Sequence, residues 1–232
     1  ELRTTLDYMQ ARWRGFRREY LAARRRPMCS PDEPVCVEAA ASRGGGDVVH
    51  SSTLFGCPAS RRCWEVQMAA PRVGRWLEGT WLHHFVMQQP RDEPGAGGGL
   101  ECLDERYPSM CEAFRHLRRE GLKVMMIAIT EVRGPRTYIP LHRSPEQHRL
   151  RLLCPLLCPP NSSSVMRFPG FGEKRYTQGQ CWWFDESYEH DLLHEGDTRA
   201  ALVLDLEHPA LDGRPAVGSW ADTTWQANSS GE

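Results

Sequence analysis

From Leu122 onward the chain changes period, and that change limits the folds open to it. Leu122–Thr130, Thr137–Leu141, Arg149–Leu157, Val165–Phe168, Gln180–Phe184 and Ala200–Leu206 are short apolar runs separated by Gly/Pro turns. Successive side chains of a strand point to opposite faces, so strands of this length need a covering layer for their apolar face. The helical patterns all come earlier. Helices first and short strands afterwards predict an α+β, mainly β chain. Its core is expected to be a double-stranded β-helix, a cupin-like jelly roll of two sheets with N-terminal helices.

The first helical pattern is Leu2, Leu6, Met9, Trp13, Phe16 and Tyr20, at steps of three or four. Its other face carries Arg12, Arg14, Arg17, Arg18, Arg24, Arg25 and Arg26, and Pro27 stops it. Arginine stems lie readily along apolar surfaces, so this reads as a solvated face on a helix packed against the domain. Tyr107–Arg119 has helical spacing through Met110, Phe114 and Leu117 and ends at Gly121. The expected organisation is a basic amphipathic helix over 1–26, a Pro/Ser/Ala/Gly-rich linker over 27–62 and a jelly-roll domain over 63–232. Within the domain, Pro90–Gly99 is a second break, and Trp76, Leu77, Trp81, Phe85 and Val86 form a buried aromatic element before it.

Composition excludes several classes. With 40% hydrophobic and 25% charged residues in 232, the chain is of ordinary globular type and long enough for a proper core. A net charge of −1 gives no global attraction to nucleic acid or membrane. The longest apolar stretch, Val124–Ile129, is strand-sized. A start at Glu1 predicts a fragment of a longer chain, so membrane contact is expected only through a segment upstream. The nine cysteines include no CxxC pair, which argues against a zinc ribbon. Asn161-Ser162-Ser163 and Asn228-Ser229-Ser230 are sequons that matter if the chain is secretory. A secretory chain would place it in the endoplasmic reticulum lumen or on a membrane, and otherwise it would be cytoplasmic.

Chemistry concentrates in Phe184-Asp185-Glu186-Ser187-Tyr188-Glu189-His190 and in Arg199. A neutral imidazole at a strand mouth can hold a metal. An arginine buried on the next strand needs an anionic partner, because an unpaired buried charge is prohibitively costly. His142, 48 residues before His190, is the second candidate ligand. Non-haem iron centres commonly use two histidines and a carboxylate. The usual carboxylate position, two residues after the first histidine, is Ser144 here, so a solvent molecule would fill that place. Arg149 and Arg151 share one strand face and repel unless an anion lies between them. His194 would complete an HxxxH, but Gly196-Asp197 follows at once and a helix is not expected, so it is rejected as a ligand. Adjacent His83 and His84 point in different directions and read as a packing element. Asp185, Glu186 and Glu189 read as turn-shaping residues.

Trp183–His190, Thr198-Arg199 and Asp205–Leu211, with Pro140–Pro145 and Arg149–Leu152 upstream, together resemble the aspartyl/asparaginyl β-hydroxylase family. The resemblance spans roughly residues 75 to 211. It implies Fe(II) and 2-oxoglutarate as cofactors, molecular oxygen, and an acidic peptide or protein substrate hydroxylated on an aspartyl or asparaginyl β-carbon. It assigns His142 and His190 to the metal. Arg199 would take the distal carboxylate of 2-oxoglutarate, with Arg151, Trp81 and Thr130 also at the cosubstrate, and Arg149 would meet the substrate. No catalytic side chain is implied beyond the metal centre, and no nucleic acid. Members of the family similarly lack the carboxylate at Ser144. They often carry a histidine where this chain has Leu153. The alternatives are a non-catalytic binding module of the same fold and a small-molecule oxygenase.

Overall fold

Alternating burial builds two antiparallel sheets that face one another. The computed structural model describes residues 2–25, 65–67, 80–88, 101–102, 104–143 and 149–208. The elements run α1 (Leu2–Arg24), β1 (Glu65–Gln67), β2 (Thr80–Gln88), β3 (Glu101–Cys102), α2 (Pro108–Arg119), β4 (Val124–Arg133), β5 (Arg136–His142) and β6 (Arg149–Leu157). They continue as β7 (Ser163–Phe168), β8 (Gly172–Arg175), β9 (Trp182–Asp185), β10 (His190–Glu195) and β11 (Arg199–Glu207). The larger sheet has the order β1-β2-β4-β11-β6-β9, with β3 beside β2, and the smaller has β5-β10-β7-β8. The mainly β, jelly-roll expectation holds.

Parity along β11 shows how the layers are made. Ala200, Leu202, Leu204 and Leu206 face outward into the apolar layer shared with α1 and α2. Ala201 and Val203 face inward with Leu153, Ile139 and Leu192, between the sheets. Buried on both faces, the strand shows little outward polarity.

The helical layer is fixed by two acids. Met9, Phe16, Tyr20 and Ala23 of α1 are buried, and Arg12, Arg14, Arg18 and Arg24 are exposed. Glu19 accepts hydrogen bonds from the backbone N–H groups of Ser109 and Met110, at 2.6 and 3.2 Å. A carboxylate of α1 therefore caps the N-terminus of α2, whose own N-cap position, Tyr107, makes no side-chain cap. Glu131 of β4, fully buried, accepts from Tyr20 Oη at 2.7 Å and Arg133 Nε at 2.6 Å, with His84 Nε2 at 3.3 Å. Gly179, with φ +78°, lies under Trp13, where an added Cβ would come within 2.7 Å of the indole. Cys102–Cys111 joins β3 to α2 and Cys154–Cys181 joins β6 to the approach to β9, leaving Cys158 free among the described residues.

Some boundaries differ from the sequence reading. β4 continues to Arg133, so Thr130 lies inside it rather than at its end. The aromatic element around Trp81 is the strand β2. His190 opens a strand of its own, β10, instead of leading directly into the Arg199 strand. β8 is exposed at all four positions and shows no apolar alternation to read. The 27–62 linker, the Pro90–Gly99 break, Trp76, Leu77, Ser144, the first four cysteines and the second sequon lie outside the described residues.

Burial alone would raise the Glu131 carboxyl, but contacts with His84, Arg133 and Tyr20 outweigh it and hold it at about 2. A folded-state value below the ordinary 4.5 stabilises above that value, and the stabilisation is lost as pH falls toward 2. Glu131→Gln should therefore lower unfolding free energy at pH 7 by roughly 2–4 kcal/mol. Urea unfolding between pH 7 and pH 2 should show the gap between the two proteins closing as the solution is acidified; a constant gap would contradict this.

Candidate active site

His142 reaches the interior because β5 bulges. Thr137 and Ile139 face inward, and strict alternation would send Leu141 in after them. Pairing with β10 instead steps from Leu192↔Ile139 to His190↔His142, so three residues of β5 span two of β10. The extra residue inverts the parity, turning Leu141 to solvent and His142 inward. Pro140 lies within this irregularity, where a missing N–H costs least.

Both histidines are held in one tautomer. His142 Nδ1 lies 2.6 Å from the Pro140 carbonyl and His190 Nδ1 lies 2.9 Å from the Tyr188 carbonyl. A carbonyl only accepts, so each Nδ1 carries the hydrogen and each Nε2 keeps the lone pair. The rings are 4.4 Å apart between centroids. Burial pushes His142 down to about 4 despite the Pro140 hydrogen bond, and burial with the neighbouring His142 pushes His190 down to about 3. Both are neutral at pH 7. Phe184 and Phe168 pack on His190 at 5.1 and 5.9 Å. The Asp185 carboxylate accepts the Ser187 N–H at 2.8 Å, which closes the turn leading into His190. Two neutral imidazole lone pairs of matched tautomer suit a divalent metal. Among the described residues no third His, Cys, Asp or Glu groups with them.

Six of the seven sequence-predicted residues line one cavity: Trp81, Thr130, His142, Arg151, His190 and Arg199. Arg199 lies across the cavity from the histidines rather than beside them, since β10 belongs to the smaller sheet and β11 to the larger. It is 1% exposed, with its guanidinium over the Tyr176 ring at 4.3 Å. Its Nε and Nη1 have no hydrogen bond among the described residues, and no carboxylate pairs with it there. Burial pulls its pKa down. Trp81 Nε1 donates to Thr130 Oγ1 at 2.8 Å, leaving the Thr130 hydroxyl hydrogen to point elsewhere. His83 lies edge-on to Trp81 at 5.3 Å and lines the cavity, pushed down to about 3 by burial. His84 turns to the opposite face, toward Glu131.

The Arg149/Arg151 pair departs from expectation. The anions beside it are protein carboxylates: Arg151 donates to Asp205 through Nε and Nη2 at 2.6 and 2.7 Å and also contacts Glu186. Arg149 is buried with Nη1 3.7 Å from Asp205 and does not line the cavity. Glu186, read from sequence as a turn residue, is 1% exposed and directed inward. The inward parity of Asp205 was legible from Arg199, but its bond to Arg151 requires knowing that β6 and β11 are neighbours. Tyr176 gives no sequence signal, since it follows a wholly exposed strand. His194 is four residues along β10 from His190, about 13 Å away by strand rise. Its Nδ1 lies 2.7 Å from Ser164 Oγ.

If His142 and His190 hold a metal together, either one replaced by Ala should abolish binding of Mn(II) followed by electron paramagnetic resonance, while His194→Ala should retain it. Tight Mn(II) retention by His190→Ala would exclude this pair as the centre.

The chain is similar to known proteins over much of this region. Residues 95–209 match the aspartyl/asparaginyl β-hydroxylase family. Over 143 residues the chain is 27% identical to aspartate beta-hydroxylase domain-containing protein 2 of Xenopus tropicalis, covering 60% of this chain and 36% of that protein. The chain thus spans about a third of the length of this relative. Among solved structures, a 2OG-Fe(II) oxygenase family oxidoreductase from Burkholderia pseudomallei overlaps at TM-score 0.39 and 14% identity, covering 55% of this chain and 68% of that one. A Pseudomonas putida prolyl-4-hydroxylase overlaps at TM-score 0.35 and 14% identity, covering 56% and 73%. Both inward histidines and Arg199 fall within residues 95–209, the stretch that matches the aspartyl/asparaginyl β-hydroxylase family.

Proposed function

We propose that the domain is an Fe(II)- and 2-oxoglutarate-dependent oxygenase that hydroxylates the β-carbon of aspartyl or asparaginyl residues in a peptide or protein. One observation carries the reading. A single cavity has two neutral, tautomer-matched imidazoles at one end and, across from them, a buried arginine with no carboxylate partner among the described residues. A metal-chelating diacid meets both demands, since one end can reach the metal while the far carboxylate neutralises Arg199. Iron and 2-oxoglutarate would supply the oxidation: one oxygen atom of O2 enters the substrate C–H bond, and the other enters succinate as carbon dioxide leaves.

The protein's own part is positioning and exclusion of water. His142 and His190 would hold the metal, each oriented by a backbone carbonyl. Arg199, braced by Tyr176, would fix the far carboxylate, with the Thr130 hydroxyl turned by Trp81 to donate beside it. Phe184, Leu153, Met166 and Val203 give the cavity dry apolar walls. Arg149, buried beside Asp205 and outside the lining, would be the contact for an acidic substrate side chain.

The purified chain, supplied with Fe(II), 2-oxoglutarate and air, should form succinate and add one oxygen atom to an acidic peptide. Absence of both products would remove the reading. Arg199→Ala should raise the KM for 2-oxoglutarate and lower succinate formed without peptide. Arg149→Ala should spare that uncoupled turnover and weaken only the peptide. Each loss should be roughly ten- to hundred-fold, the worth of one charge-assisted contact. Equal damage to cosubstrate use by both changes would contradict the division of roles.

A further inference from the structure

The inward cluster around Arg151 contains two carboxylates with very different supports. Asp205 is gripped by both Nε and Nη2 of Arg151 and is completely buried. Glu186 touches Arg151 Nη1, yet neither of its oxygens has a partner in hydrogen-bonding geometry among the described residues. A buried carboxylate held by the attraction of Arg151 and Arg149 without hydrogen-bond geometry is poorly compensated for the water it has lost. Burial accordingly raises its pKa against the pull of Arg151. Arg151 lines the cavity, whereas Glu186 and Asp205 stand behind it. Asp205 already fixes the direction of the guanidinium, so orienting Arg151 does not require Glu186. What Glu186 adds is negative charge.

Phe184, the cavity-lining residue paired with Arg151 across β6 and β9, also packs on His190. The Arg151 end of the cavity is therefore the end with the histidines, while Arg199 occupies the other. Charge is distributed unequally between these ends. Arg199 has no carboxylate facing it among the described residues, and Arg151 has two.

We propose that Glu186 is a specificity-determining counter-ion: by offsetting the charge of Arg151 it weakens the cavity's hold on a carboxylate at the histidine end and leaves the Arg199 end unaffected. The inference rests on the reading of the cavity as a diacid site. A diacid is then held mainly by its Arg199 end, and its other end stays exchangeable near the histidines.

Glutarate and pentanoate separate the two ends without metal or turnover, because the first has a carboxylate at both ends and the second at only one. Each is titrated calorimetrically into the wild-type chain and into Glu186→Gln at pH 9, where the raised Glu186 carboxyl is ionised, with thermal melting to establish that the variant is folded. Removing a unit charge several ångströms from the site should tighten glutarate about tenfold at an effective dielectric near 20. Pentanoate should bind both proteins equally. Glu186→Asp, which withdraws the carboxylate by one methylene, should fall between them and serves if the Gln variant does not fold. Unchanged or weaker glutarate binding in a folded variant overturns the inference, as does equal tightening of both ligands. If the wild type and the variants bind neither acid, the diacid reading fails and the inference with it.

Discussion

Charge sealed between two apolar sheets must be matched, and that constraint organises the interior of this domain. Arg149, Arg151 and Arg199 all project inward, from β6 and β11. Unmatched, each would cost more than the burial of several apolar side chains returns. Asp205 and Glu186 match the first two within the protein. Among the described residues Arg199 receives the face of Tyr176 and no carboxylate, and a cation–π contact is worth far less than an ion pair. Under the proposed function a ligand carboxylate would relieve that imbalance, so the weakest point in the electrostatics of the interior is also the proposed recognition point of the site.

The smaller sheet solves a different problem, that of bringing two imidazoles from separate strands to one place. A regular β5 would turn His142 to solvent. The irregularity at Pro140–Leu141 turns it inward and, through the Pro140 carbonyl, fixes which ring nitrogen keeps its lone pair. The Asp185-capped turn does the same for His190 through the Tyr188 carbonyl. Backbone carbonyls thus perform the orienting task that carboxylates perform at many metal centres. In that arrangement each imidazole Nδ1 donates to a backbone carbonyl rather than to a carboxylate.

Much of this was legible in the sequence, for physical reasons that can be named. Period-two alternation placed Ala201, Val203 and Asp205 on the Arg199 face, and the structure has them there. Period 3.6 placed Met9, Phe16 and Tyr20 under the first helix. His190 and Arg199 stand out from their residue types and placement, His142 and Arg151 with the help of the family resemblance, and one cavity collects all four. Pairing across strands was what sequence could not give. Arg149 and Arg151 were expected to flank a ligand anion, but strand order sets Asp205 opposite Arg151 and the chain reversal at 185–189 swings Glu186 inward. β10 was hidden because its inward positions include two histidines instead of apolar residues, so its alternation looks like a polar turn.

The central claim is that metal and diacid occupy one cavity in contact, with His142 and His190 at one end and Arg199 at the other. The most direct measurement is the affinity of 2-oxoglutarate for the wild-type chain, determined anaerobically with and without saturating Mn(II). Two ligands that touch must alter one another's affinity reciprocally. The account predicts that Mn(II) tightens 2-oxoglutarate, and that 2-oxoglutarate tightens Mn(II), by the same factor of about ten or more. Equal affinity for 2-oxoglutarate with and without the metal would contradict it.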